Sequence, residues 1–235
     1  MSQLLTHVGR DWTEMGREVR EVLYKGAILQ SLQRYLPCDL STAPAVLVPG
    51  AGLGRLAVEL AVSGYRYIYY LTNDQNWSFY PRLMYQMSDE WDFKNRFVSQ
   101  TLPGGSDADH IIKWLNKNRA EGHKSSLDVQ LGDFSKLYSS SDKTNRFDGV
   151  VTSFFIDTAA ESVLVYLSNL YNVLKDGGYW VNAGPLHYHK ATNVPYSHAY
   201  LQEIISICGF ELLESQTVYT DYCGEEDVTM RPEYY

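Results

Sequence analysis

A mainly parallel, Rossmann-like α/β sheet flanked by helices is the fold this sequence predicts. Strand-like and helix-like runs alternate from Ala45 to Tyr219, the first strand enters a glycine-rich turn and leaves as a helix, and polar residues recur just past the carboxyl ends of the strands. Such alternation implies right-handed crossovers and parallel pairing, with ligands held at the carboxyl ends.

The elements follow in order. Residues 13–36 place Val19, Val22, Leu23, Ile28, Leu32 and Leu36 near helical spacing, with Thr13 as N-cap and Pro37 as the stop. This helical segment occupies residues 1–40, and the α/β domain residues 41–235. Ala45–Val48 reads as a short buried strand, Arg55–Ser63 as an apolar helix ended by Gly64, and Tyr65–Thr72 as an aromatic strand. Residues 77–97 read as mostly helical, and residues 99–126 as a polar excursion around a short helix, His110–Asn118. Leu127–Leu131 and Gly149–Phe155 are the next strands, the second buried on both faces. Ala159–Leu174 is a helix, Lys175–Gly178 a turn and Tyr179–Ala183 a fifth strand. Tyr200–Cys208 is a helix and Phe210–Tyr219 a sixth strand.

Composition narrows the function. A chain of 235 residues, 45% hydrophobic and 20% charged, supports one sizeable globular core. Its net charge of −8 predicts no broad basic face, which speaks against a nucleic-acid partner. No run approaches the roughly 18 apolar residues of a membrane span, so no membrane partner is expected. The three cysteines, Cys38, Cys208 and Cys223, are scattered and form no CxxC pair. Neither a zinc ribbon nor a disulfide scaffold is indicated, and a reduced compartment is the expectation, the cytoplasm first and the nucleus second. Oligomeric state is left open, a homodimer included.

The motifs carry the chemistry. Val48-Pro49-Gly50-Ala51-Gly52-Leu53-Gly54-Arg55 joins a strand to a helix through glycines, which let a ligand approach the backbone and the helix amides. A dinucleotide fingerprint would place its third glycine where Arg55 stands. Gly50, Gly52 and Gly54 instead give GxGxG, the spacing usual where the loop faces the amino-acid end and ribose of S-adenosylmethionine. After the second strand, Asp74 can hold ribose hydroxyls, and Asn76 less well. In Gly132-Asp133-Phe134, the Asp133 carboxylate can accept from an adenine amino group while the Phe134 amide donates to the ring. The strand Gly149–Phe155 delivers Asp157 to the mouth of the sheet, either as an active-site carboxylate or as an N-cap for the helix near Ala159. Lys175-Asp176-Gly177-Gly178 and the strand after it complete an order of elements common in class I methyltransferases. His187, Tyr188 and His189 follow the fifth strand; no third ligand accompanies the histidines, so polar substrate contacts are expected and a metal is not.

Several strings together resemble the carnosine N-methyltransferase family: Arg10-Asp11-Trp12, Pro49-Gly50-Ala51-Gly52-Leu53-Gly54-Arg55, Trp77-Ser78-Phe79, Gly132-Asp133-Phe134, Phe154-Phe155-Ile156-Asp157-Thr158-Ala159 and Gly184-Pro185-Leu186-x-Tyr188-His189. They stand in the family's order and span nearly the whole chain. The resemblance implies N-methylation of the imidazole of carnosine (β-alanyl-histidine), or of a related histidine-containing peptide, with S-adenosyl-L-methionine as cofactor. It would place Arg10, Gly50, Gly52 and Arg55 around the methionine end of the cofactor, Asp133 and Phe134 at the adenine, and Ser153 in the same pocket. Asp157 and His189 would contact the substrate, and Tyr234 and Tyr235 would help close its pocket. The chain departs from the family where Gln75-Asn76 replaces Asn-Glu before Trp77-Ser78, and where His7 stands for glutamine. It reaches Tyr235 before the last strand such a sheet normally inserts, so a sheet lacking that strand is the expectation. The alternative reading is a methyltransferase-like domain that binds cofactor or partner without catalysis.

Overall fold

The computed structural model describes residues 3–38, 44–65, 67–72, 126–131, 133–140, 144–158, 162–188, 195–222 and 233–234. Five strands, β1 (Ala45–Pro49), β2 (Tyr67–Thr72), β3 (Ser126–Leu131), β4 (Phe147–Ser153) and β5 (Leu174–Ala183), form one sheet in the order β3-β2-β1-β4-β5, every neighbouring pair parallel. The chain works outward from β1 to β3, then returns to the far side of β1 for β4. The crevice of an open parallel sheet lies at that reversal, outside the carboxyl ends of β1 and β4.

Side chains alternate across the sheet and feed two cores. On one face Val46, Val48 and Val151 pack under α4 (Arg55–Val62), through Leu56, Ala57 and Leu60, and under the N-terminal helical run, through Val19, Leu23, Ile28 and Leu32. On the other, Leu47 and Val150 pack against α5 (Phe134–Leu137), α6 (Val163–Val173) and α7 (His198–Ile207), through Phe134, Leu167, Leu170, Leu201 and Ile204.

The N-terminal run begins with α1 (Gln3–Trp12) and a 3₁₀ turn at Glu14–Gly16. It continues through α2 (Arg17–Val19), a π-wound stretch at Arg20–Leu29 and α3 (Gln30–Tyr35). The expected helix is present, but its middle is wound more widely than its apolar spacing suggests. Thr13 sits at the head of the 3₁₀ turn without capping it, because its hydroxyl donates back to the Gly9 carbonyl at 2.7 Å.

Two further expectations need correction. Lys175–Gly178 is not a turn preceding the fifth strand but a bulge within it: Leu174 pairs with Phe147 and Tyr179 with Gly149, leaving four residues opposite Asp148. That aspartate holds the bulge in place, accepting from Lys175 Nζ at 2.7 Å and from the Ala45 amide at 2.8 Å. Phe210–Tyr219 does not extend the sheet. Residues 211–217 are exposed, and Glu214 and Ser215 are tied to the side chains of Arg34 and Gln202. Only Val218–Tyr219 (β6) is a strand, paired antiparallel with Glu233–Tyr234 (β7) in a separate sheet. The helices expected at 77–97 and 110–118 lie outside the described residues.

Candidate active site

The glycine turn after β1 is built as the sequence suggests. Gly50, Gly52 and Gly54 take φ of 62°, 53° and 76°, and Gly54 leads directly into α4. At Gly50 the backbone and the packing both demand glycine, since a Cβ there would lie 2.3 Å from the Phe155 ring. Phe155 has no room to yield, being stacked on Tyr166 at 4.8 Å and set edge-on to Phe134 at 5.5 Å. Gly50→Ala should therefore cost about 1–3 kcal/mol for overpacking and ~1–2 kcal/mol for left-handed backbone. Urea unfolding checks this; unchanged stability would refute the close packing of loop on ring.

Arg10, Asp11 and Trp12 brace the same turn. The Trp12 indole donates to the Leu53 carbonyl at 3.0 Å, and the Arg55 guanidinium to the Asp11 carbonyl at 2.9 Å. Arg10 is buried and grips Asp11 through two bonds, at 2.7 and 3.0 Å. It donates a third to the Tyr222 hydroxyl at 2.8 Å and lies between the Phe154 and Tyr222 rings, 4.7 and 5.1 Å from their centres. Tyr24 donates to Asp11 at 3.0 Å, while Arg20 donates to the Arg10 carbonyl and to Thr13. Burial alone would lower the pKa of Arg10 and raise that of Asp11; mutual attraction reverses both, holding Arg10 well above and Asp11 below its usual range. Three of the five guanidinium N–H groups of Arg10 are thus engaged, leaving two without a partner among the described residues. Its Nη2 stands 3.5 Å from where a side chain on Gly52 would begin, so the bare glycine keeps the space over the guanidinium open.

The end of β4 supplies the next groups. The Ser153 hydroxyl is buried with no hydrogen-bond partner among the described residues. Phe154 turns the chain at φ 52°, its amide donating to the Ala183 carbonyl at 3.1 Å. Asp157 lies on a short 3₁₀ turn, Ile156–Thr158, and is 2% exposed. Its Oδ2 accepts from the His187 amide at 3.0 Å, which links the ends of β4 and β5. Asp157 does not cap the following helix; Ser162 does, accepting from the Leu164 amide at 3.2 Å.

Other expected site residues have different surroundings. Arg55 is buried, and its guanidinium bonds Glu59 at 2.7 and 2.8 Å besides the Asp11 carbonyl, so it joins α4 to the N-terminal run. The spacing of Arg55 and Glu59, four apart on one helix, was the available signal. Asp133 caps α5, accepting from the Ser135 amide and hydroxyl at 2.9 and 2.7 Å; these bonds hold its carboxyl below the usual range. Its side chain remains 35% exposed. The Phe134 ring is buried in the core between Tyr138, Phe155 and Tyr166. Asp74, Asn76, His189 and Tyr235 lie outside the described residues, and Tyr234 is placed by its backbone alone, in β7. Arg20, Tyr24 and Tyr222, which fix Arg10 and Asp11, carry no local signal of that role, and Tyr222 joins the cluster across 212 positions.

A parallel sheet in this order, with a GxGxG turn after its first strand, defines the Rossmann-like fold of class I S-adenosylmethionine-dependent methyltransferases. Solved structures agree: a chain of the complex between the Haloferax volcanii Trm112 methyltransferase activator and a methyltransferase superposes with a TM-score of 0.51 at 16% identity, covering 82% of this chain and 71% of that one. The [4+2]-cyclase SpnF superposes at 0.50 and 16% identity, covering 81% and 58%. The family model for carnosine N-methyltransferase matches residues 1–235, and the chain belongs to that family. Carnosine N-methyltransferase of Mus musculus is 31% identical over 96% of this chain and 58% of its own length. That of Schizosaccharomyces pombe is 28% identical over 96% and 66%. The chain thus spans about 58% of the length of its mouse relative.

Proposed function

We propose that the chain is an S-adenosylmethionine-dependent N-methyltransferase acting on the imidazole of carnosine, giving anserine, or on a related histidine-containing peptide. The observation that carries this reading is the buried Asp157 carboxylate at the carboxyl end of β4, two residues beyond the ring that packs on Gly50.

The residues present fit the cofactor. Gly52 and the two remaining N–H groups of Arg10 would receive its amino-acid end, and the buried Ser153 hydroxyl, without a partner among the described residues, would gain a hydrogen bond. The exposed side of Asp133 would face the adenine. When bound, S-adenosylmethionine supplies an electrophilic methyl on a sulfonium sulfur. The protein's own task is then alignment, which contributes up to roughly 7–11 kcal/mol. An imidazole with its ordinary pKa of about 6.5 is largely neutral at pH 7. Asp157 would accept the N–H of the non-reacting ring nitrogen, turn the other nitrogen's lone pair toward the methyl group, and take the proton as the ring becomes cationic.

Calorimetric titration of the chain with S-adenosylhomocysteine, then with carnosine in the same sample, tests this. Binding of both is the expected result. Uptake of S-adenosylhomocysteine without carnosine would overturn the acceptor assignment, and uptake of neither would overturn the enzyme reading.

A further inference from the structure

Beside Asp157 stands a second group that the cofactor does not account for. Tyr188 follows β5 directly after His187, whose amide is bonded to Asp157. Its backbone is left-handed, φ 47°, an uncommon conformation for a bulky aromatic residue and one that clusters at ligand sites. The ring is held edge-on to Tyr196, 6.2 Å between centres, and Tyr196 packs in turn on Tyr200 at 5.6 Å. At the end of this buttressed ring the hydroxyl is buried and makes no full hydrogen bond among the described residues, with the Tyr196 backbone close by as a weak polar contact. A buried hydroxyl left without a full hydrogen bond is costly.

We infer that Tyr188 is an acceptor-binding residue, whose hydroxyl forms a hydrogen bond with the peptide substrate that Asp157 orients. The assignment rests on the imidazole-methyltransferase reading above. It names a second polar contact, on β5's side of the crevice, for an acceptor that carries a hydrogen-bonding group beyond the ring held by Asp157; a dipeptide does, through its amide and carboxylate, and a bare azole does not. Burial, reinforced by the charge of Asp157, pushes the phenol up to about 12. The group therefore stays protonated throughout the neutral range and can donate to a carbonyl or carboxylate oxygen. Because this contact exists before methyl transfer and persists through it, it acts on binding and leaves the chemical step alone.

The test is Tyr188→Phe, which deletes one oxygen and keeps the ring. Carnosine affinity in the presence of S-adenosylhomocysteine should weaken about tenfold. KM should rise with kcat within about twofold, equally at pH 6.5 and pH 9, and affinity for S-adenosylhomocysteine should not change. Affinity for free imidazole should be the same in both proteins. The unliganded variant should melt at or above the wild-type temperature, because a hydroxyl without a full hydrogen bond has been removed; a structural role would lower it. Unchanged carnosine affinity, or a lowered melting temperature with parallel loss of both ligands, would overturn the inference and leave the methyltransferase reading intact. Wild-type protein that binds S-adenosylhomocysteine but no carnosine would overturn that reading and the role of Tyr188 with it.

Discussion

Asp157→Asn is expected to lower kcat for imidazole methylation by roughly 10²–10⁴-fold, with affinity for S-adenosylhomocysteine within about twofold of wild type. The variant keeps one side-chain oxygen for the His187 amide, now 3.0 Å from Oδ2, so the link between β4 and β5 survives. What it loses is a second acceptor: an amide N–H in its place favours the ring tautomer whose lone pair points away from the methyl group, and it cannot take a proton. Single-turnover rates beside calorimetric affinities separate the two effects. Equal losses in turnover and cofactor binding would show that Asp157 merely holds the loop.

The second large effect concerns stability. Asp11→Asn leaves the Arg10 guanidinium buried without its counter-ion and weakens the anchor for Tyr24. Stripping one partner from a buried pair costs about 3–5 kcal/mol, a large share of the roughly 5–15 kcal/mol that holds an ordinary domain folded. The melting temperature should fall by on the order of 10 °C. Replacing both partners, Arg10→Met with Asp11→Leu, should recover much of that stability, because a buried pair exchanged for apolar groups is often near neutral. Cofactor affinity should not return with it, since the remaining Arg10 donors are gone. A double variant that binds S-adenosylhomocysteine normally would sink the proposed role of Arg10.

The same pair sets an acid limit. The Asp11 carboxyl is held below its ordinary value in the folded state, so the unfolded chain takes up its proton first as pH falls. The stabilisation is complete above about pH 4, the unfolded carboxyl's range. It declines as pH drops from there through the depressed folded value. Wild-type stability should fall steeply over that acid interval, and the Asp11→Asn variant should show a shallower slope there. Chemical unfolding followed by circular dichroism from pH 7 to pH 3 measures both.

What could be read from the sequence divides along physical lines. The glycine turn was legible because three alternating glycines between a strand and a helix constrain the backbone locally, and all three take positive φ. The strand that presents Asp157 was legible from its uninterrupted apolar run. Roles that depend on distant partners were not. Tyr222 and Arg10 meet only in the folded chain, and Lys175–Gly178 resembles a turn until Asp148 supplies the contacts that fold it into a bulge. Phe210–Tyr219 has strand-forming residues, but strand structure requires a ladder partner, and only Val218–Tyr219 finds one. Arg55 shows how a resemblance names a residue while leaving its contacts to be found: its guanidinium bonds Glu59 and the Asp11 carbonyl.

The bond between Arg10 and Tyr222 also bears on how the protein is made. A nascent chain grows by about 5–20 residues each second, so the 212 positions separating the two take roughly 10–40 s to synthesise at those rates. Through that interval the glycine turn, its helix and the paired β1 and β4 can form on the ribosome, while the Arg10 guanidinium still lacks the phenol that completes its cage. Slow translation or a stall before Tyr222 would therefore leave a nearly finished sheet with the buried Arg10 still lacking one partner, a species open to chaperone capture.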